Sequence, residues 1–560
     1  MRRHGSRDQR AAASRSIARK GLAAVAGAAV VALVAGCAGG GSGEGGAASG
    51  DTPLLVAMDN GSPTFTANFN PFSPNKRTAS LLMYEPLMVF NAIDGEGTPF
   101  IAESMEQPDA RTVVFTIREG ITWSDGEALT PDDVAFTLQL IKDFPALDVR
   151  GAWTNIESVA VDGQDVVVTL NGENVPAARA IAQTVIVPEH IWADVEDPTT
   201  FLNEQPVGAG PYVLGEFTPN EYTLDRNEDY WQVEEVAASE LILPAANTEL
   251  EIVNNQYDWA YSYMSDVDST WGAAEEGNTH WFPPGGTISL MPNLTQAPFD
   301  DPEFRQGLSL ALDRDRIADV AEEGYVEAAG TTGLLLPNQE AWLNPDIPDA
   351  GAVSQDLDAA EERFANAGYT MEGDRLVGPD GQQLEVTLTT PNGYTDWLRG
   401  ATEVQEQLTA AGIAVTLNQP QPAAYQQELQ NGNFELIIGS FGGTGSVYDD
   451  FNALMSSSFY QEVGTTTTAN FQRYRSDEAD ALLDQLRVTT DEAEQREIGY
   501  QLQTIMHEEL PVVPLFYGGL WGLFSEQRFT GWPSAEDPYA TPQTWDANPL
   551  LIVTSIEAVE

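Results

Sequence analysis

The chain has 560 residues, 42 % of them hydrophobic and including 12 Trp, 22 Phe and 17 Tyr, so it is long enough for more than one domain and apolar enough for real cores. It carries 85 Asp and Glu against 26 Lys and Arg, a net of −59. That sign excludes a phosphate-backbone partner, so no nucleic acid is expected, and a single cysteine excludes an intrachain disulfide.

Residues 1–37 read as a signal peptide. Seven basic residues, from Arg2 to Lys20, precede an apolar run from Gly21 to Ala35 that is too short to span a bilayer. Val34-Ala35-Gly36-Cys37 then resembles a lipobox, which makes Cys37 the expected lipid attachment site. With the seven basic residues and one acidic residue of 1–37 set aside, 19 basic and 84 acidic residues remain, a net of −65. Residues 38–50 are Gly, Ser and Ala with one Glu, the composition of a flexible tether. Acidic pairs such as Glu234-Glu235 and Glu322-Glu323 read as solvated surface.

Leu54 to Ala57 is a short apolar strand. Thr112 to Ile117 alternates as a second, and Gly120 with Ser124-Asp125-Gly126 supplies turns. Thr130 is a good N-cap, Pro131 suits the first helical position, and Asp133 can close a capping box. Val134, Leu138 and Ile141 then fall on one helix face. Residues 156–170 read as a hairpin turning at Asp162-Gly163, and Tyr212–Phe217 and Leu241–Pro244 as strands.

From residue 286 the pattern is α/β. A helix starts at Asp300-Asp301-Pro302 with Phe304, Leu308, Ala311 and Leu312 at helical spacing. Another runs from Leu357 to Ala367 and ends at Gly368. Leu384–Leu388, Thr395–Ala411 and Ile413–Leu417 form a βαβ unit with parallel strands. Helices at about 477–487 and 491–508 lead into the apolar strand Pro511–Phe516.

The run Arg118, Gly120, Trp123, Asp125, Gly126, Thr130, Asp132, Asp133, Val134 closely resembles a signature of the family-5 extracellular solute-binding proteins, the receptors of ABC importers for peptides, nickel and some oligosaccharides. Tyr84-Glu85-Pro86-Leu87, Pro188-Glu189-His190, Gly208-Ala209-Gly210-Pro211-Tyr212, Arg305 and Asp313-Arg314 extend the resemblance. It implies an α/β, two-lobed periplasmic-binding-protein-like fold with an additional inserted lobe. On that pattern 51–90, 207–285 and 508–560 form a discontinuous first lobe, 91–206 the inserted second lobe and 286–507 the third.

No catalytic constellation stands out. The four His lack a His or Cys at metal-site spacing, and neither a Gly-x-Ser-x-Gly elbow nor a P-loop is present, so no cofactor, metal or enzyme activity is expected. The better candidate is a Gly-rich stretch for ligand binding, with Phe441, Gly442, Gly443, Thr444 and Tyr448 as its contact residues. In peptide-binding relatives the resemblance implies an Asp near this point that captures the peptide's amino terminus; here Thr444 stands in its place, with Asp449 and Asp450 later. Gly531-Trp532-Pro533-Ser534 and Asp537-Pro538-Tyr539-Ala540 resemble the branch that binds β-linked oligosaccharides, for which Trp271, Trp281 and Trp397 are candidate platforms. The expected function is therefore a monomeric, lipid-anchored receptor on the outer face of the cytoplasmic membrane, extracellular or periplasmic, that hands an oligomeric solute to an ABC permease. The solute expected first is a β-linked oligosaccharide. An oligopeptide is the alternative, and a secreted glycoside hydrolase the second alternative.

Overall fold

The computed structural model describes residues 52–59, 64–245 and 248–559. The expected signal peptide, Cys37 and the tether lie outside them. Three sheets organise the rest.

A seven-stranded sheet has the order Asn278–Trp281, Gly522–Ser525, Trp259–Tyr261, Pro53–Ala57, Glu240–Pro244, Glu221–Arg226, Tyr212–Phe217. Its central strand Pro53–Ala57 pairs in parallel with both neighbours, and Leu54, Val56 and Ala57 are fully buried, as expected where a strand is covered on both faces. A four-stranded antiparallel sheet, Ala102–Asp109, Thr112–Ile117, Asp165–Leu170, Ile156–Asp162, is inserted between strands of the first. The helix Pro131–Asp143 packs on it through Val134, Leu138 and Ile141, all buried.

The third sheet has five strands, Ala414–Asn418, Glu385–Thr389, Leu436–Phe441, Pro284–Pro292, Val513–Gly519. Its first three strands are parallel, joined through the helices Thr395–Ala410 and Pro422–Asn431, as the βαβ pattern requires. The chain is thus an α/β fold of two lobes with an additional inserted one.

Between the seven- and five-stranded sheets the chain passes twice. Phe282-Pro283 links Trp281 to Pro284, and Leu520-Trp521 links Gly519 to Gly522. The return strand Val513–Gly519 pairs with Pro284–Pro292, so it belongs to the five-stranded sheet although 508–560 was assigned from sequence to the first lobe.

The signature residues are mostly structural. Asp133 Oδ2 accepts the Thr130 amide at 2.8 Å, while its Oδ1 accepts the Glu189 amide at 2.9 Å and ties the helix to the segment bearing His190. His190 pairs with Asp125 at 2.8 Å. Trp123 is buried, and the Arg118 guanidinium lies 4.0 Å from the centre of the Trp231 ring. Gly208 is obligatory, since a Cβ there would fall 1.8 Å from the Met83 carbonyl oxygen. Arg314 is fully buried and holds the Pro514 and Ser309 carbonyls at 2.8 and 2.9 Å, with burial alone drawing its pKa down to about 10.

Candidate ligand-binding cleft

Two cavities open beside the end of the strand Leu436–Phe441, one against the strand itself and the other against its following loop. Its Ser440 lines the first, and Gly443 and Thr444 line the second.

The Gly-rich stretch is shorter than its composition suggests. Ser446 Oγ accepts the Asp449 amide and caps a helix, Val447–Met455, so Tyr448, Asp449 and Asp450 are helical and only Gly442 to Ser446 form the loop. Gly442, Gly443 and Gly445 have φ of 76°, 85° and 74°, in the left-handed region. A Cβ on Gly443 would stand 2.0 Å from the Gly285 carbonyl oxygen, so the loop lies against the start of the strand Pro284–Pro292. A Cβ on Gly445 would stand 2.8 Å from Ala92 Cα, on the opposite side of the cleft.

Thr444 and Asp450 form one unit. Asp450 Oδ1 accepts from the Thr444 hydroxyl at 2.7 Å and the Thr444 amide at 3.1 Å, and its Oδ2 accepts from Gln339 at 2.7 Å. An acid is therefore close to the expected position, but it is buried and turned into the loop. The Thr444 carbonyl faces the other way and accepts from Arg179 Nη2 at 2.7 Å.

The second cavity, about 670 Å³, is lined by Phe90, Tyr448 and Phe459, by the carboxamides Asn155, Asn174, Gln183, Asn452, Gln543 and Asn548, and by Arg150, Arg179, Asp449 and Asp546. Arg150 pairs with Asp546, and the charge of Arg179 acts on the half-buried Asp449. Burial raises the Asp449 carboxyl and lowers the Arg179 guanidinium. The Oδ1 atoms of Asn174 and Asn548 are buried without a hydrogen-bond partner among the described residues. Burial pushes the Tyr448 hydroxyl up to about 12.

The first cavity, about 570 Å³, lies between the crossing segment Leu520-Trp521 and the start of the helix Thr395–Ala410. Tyr261, Tyr263, Tyr394, Trp397 and Trp521 give it aromatic walls, and Glu249, Glu322 and Asp396 are its charged residues. Sequence periodicity alone did not single out Glu322, Asp396 or Trp521. Glu322 is 1 % exposed rather than solvated, because its helix Arg314–Glu322 packs beside the return strand and the Gly519 amide donates to it at 3.2 Å.

The expected tryptophan platforms divide. Trp397 lines the first cavity and packs edge-on against Tyr394, ring centres 5.6 Å apart. Trp271 is fully buried with its indole N–H on the Thr279 carbonyl at 2.8 Å, so it has no face to offer a ligand. Trp281 is half-buried against the core of the seven-stranded sheet and lines neither cavity. Phe441 is half-buried and packs on the helical core beneath the loop. The tail motif is also structural: Trp532 stacks on Phe524 at 5.0 Å, and the Tyr539 hydroxyl donates to the Gly531 carbonyl at 2.8 Å. Among the described residues, no group of three or more His, Cys, Asp or Glu is placed to hold a metal ion.

Residues 96–465 match the family described as bacterial extracellular solute-binding proteins, family 5 Middle. The chain is 26 % identical to the oligopeptide-binding protein AppA of Bacillus subtilis (strain 168) over 435 residues, 74 % of this chain and 77 % of the relative. It is 24 % identical to the nickel-binding periplasmic protein of Escherichia coli (strain K12) over 487 residues, 81 % of this chain and 88 % of that one. A periplasmic oligopeptide-binding protein of an oligopeptide ABC transporter from Thermotoga maritima superposes with a TM-score of 0.83 at 26 % identity, covering 91 % of this chain and 99 % of that one. A mannohexaose-bound structure of the same protein superposes at 0.75. With its sheets, its crossing segments and the cleft between them, this chain belongs to family 5 of the bacterial extracellular solute-binding proteins, the substrate-binding components of ABC importers.

Proposed function

We propose that the chain captures an oligosaccharide between its lobes and delivers it unchanged to an ABC permease. The observation that carries this reading is the second cavity: six carboxamides line it, and the acid nearest the Thr444 position, Asp450, is already bonded within the loop. A sugar supplies hydroxyls that carboxamides can bond and C–H faces for Phe90, Tyr448 and Phe459. The mannohexaose seen in the Thermotoga maritima relative supports the same class of ligand. Gly442, Gly443, Thr444, Tyr448 and Trp397 are the proposed contacts, with Phe441 as support. Membrane attachment through Cys37 and a monomeric state belong to the proposal. Ligand contacts made with both lobes at once would favour the closed form.

An oligopeptide is the second reading, favoured by the acids of the first cavity, which suit an amino terminus. Melting of the mature protein across cello-, xylo- and manno-oligosaccharides and tripeptides separates the two, because a ligand held only by the native state raises the melting temperature. A rise with sugars and none with tripeptides is expected; the reverse overturns the ordering.

A further inference from the structure

We propose that Arg487 is a clasp at the edge of the second cavity: it fastens the segment 173–175 of the inserted lobe to the end of the helix Asp477–Val488, and so sets how fast a bound solute escapes. This inference rests on reading the cleft as the solute site. It adds a residue that governs release while lining neither cavity.

The clasp begins with an ordinary need of a helix end. The last four carbonyls of a helix have no partner inside it, and the Arg487 carbonyl is one of these in Asp477–Val488. The Val175 amide of the inserted lobe donates to it at 2.8 Å. The side chain of the same residue answers in the other direction, since Arg487 Nη1 donates to the Glu173 carbonyl at 2.7 Å. Asp484, one turn back, accepts from Arg487 Nη2 at 3.2 Å and steadies the guanidinium.

Each side of the clasp is seated in its own lobe. The Asn174 amide donates to the Ala110 carbonyl at 2.8 Å, and Gln107 Nε2 donates to the Val175 carbonyl at 3.1 Å, so the segment 173–175 is held to the inserted sheet. The helix Asp477–Val488 packs on the helix Val447–Met455. Parting the lobes therefore breaks both bonds of the clasp.

The second cavity lies beside this junction. Asn174 and Pro176 line it from the inserted lobe, and Tyr448 and Asn452 line it from the third. Burial raises the Tyr448 hydroxyl and the charge of Arg487 opposes that rise, which places the guanidinium near this wall. Both bonds run between protein groups alone, and on opening each is exchanged for bonds to water, so the clasp slows escape without forbidding it. Arg179 also crosses to the third lobe, but it lines the cavity, so its loss mixes lost contacts with lost closure. Arg487 separates the two.

The test compares the mature protein with Arg487→Ala in two arms. In hydrogen exchange read residue by residue without solute, the Val175 amide should exchange about tenfold faster in the variant, whereas the Asn174 amide, whose partner Ala110 lies in the same lobe, should keep its rate. In stopped-flow measurements, release of mannohexaose, cellohexaose or trialanine should be about tenfold faster, the strength of one charge-assisted bond, while association changes by less than about threefold. An unchanged Val175 rate, or both amides faster together, overturns the clasp. An unchanged release rate of a bound probe overturns its role in release and leaves the solute reading standing. Faster Val175 exchange alone with no sugar bound supports the clasp and refutes the sugar reading.

Discussion

Arg179 donates from Nη2 to the Thr444 carbonyl at 2.7 Å, and this bond joins the inserted lobe to the loop that borders the second cavity. Its guanidinium also lies 4.5 Å from the centre of the Phe90 ring and reaches the Gly95 carbonyl at 3.4 Å. Arg179, from the helix Ala177–Ala182, is thus one of the links across the cleft, beside the Val175 amide on the Arg487 carbonyl at 2.8 Å and Arg487 Nη1 on the Glu173 carbonyl at 2.7 Å.

Arg179→Ala should weaken ligand binding by about tenfold, the value of one charge-assisted hydrogen bond discounted for partial exposure. Scattering should show a smaller contraction on adding ligand. Unchanged affinity and contraction would mean that the latch is incidental.

Trp397 and Trp271 should separate binding from stability. Trp397→Ala should reduce oligosaccharide affinity by about tenfold or more while shifting melting little, since the ring is half-buried at the cavity wall. Trp271→Ala should cost about 3–5 kcal/mol of stability because it empties a core position. Calorimetric titration and melting of both variants check the pair.

Much of this fold was legible in the chain. Thr112–Ile117 and Tyr212–Phe217 form strands with the bounds their alternation predicts, and Gly368 takes φ of 89° after its helix. Pro284–Pro292 escaped notice because its Pro and Gly residues argue against a strand, although it lies beside two partners in the five-stranded sheet and carries a bulge. The helix Val447–Met455 was hidden by the polar composition of its first turn. The first cavity was the least legible part. Tyr263, Asp396 and Trp521 come from distant segments, and no local period records that the lobes bring them together. Glu322-Glu323 illustrates the same limit: one glutamate is buried by tertiary packing and its neighbour is exposed.

Gly443→Ala should destabilise the protein by about 2 kcal/mol or more, because the added Cβ meets the Gly285 carbonyl and φ is 85°. Gly464→Ala is the control. Its φ is 92° but nothing lies within 4 Å, so a cost of about 1 kcal/mol is expected. Equal melting losses would show that the contact with the strand Pro284–Pro292 carries no weight.

Glu85 should make stability fall with rising pH. Its carboxyl accepts from the Tyr230 hydroxyl at 2.5 Å and the Trp231 indole at 3.2 Å, yet full burial pushes it up to about 8. The folded value lies above the unfolded one, so the contribution is complete below about pH 4.5 and is lost as pH rises through about 8, about 5 kcal/mol in all. Glu85→Gln has no proton to lose. Its melting temperature should decline less than that of the wild type between about pH 5.5 and 8.5, whatever its absolute level. Parallel declines would contradict this assignment.

The most direct test of solute capture is native mass spectrometry of the mature protein mixed with mannohexaose and cellohexaose. The expected result is one adduct per chain with the mass of an intact hexasaccharide. No adduct with either sugar, or an adduct with the mass of a shortened one, would contradict it.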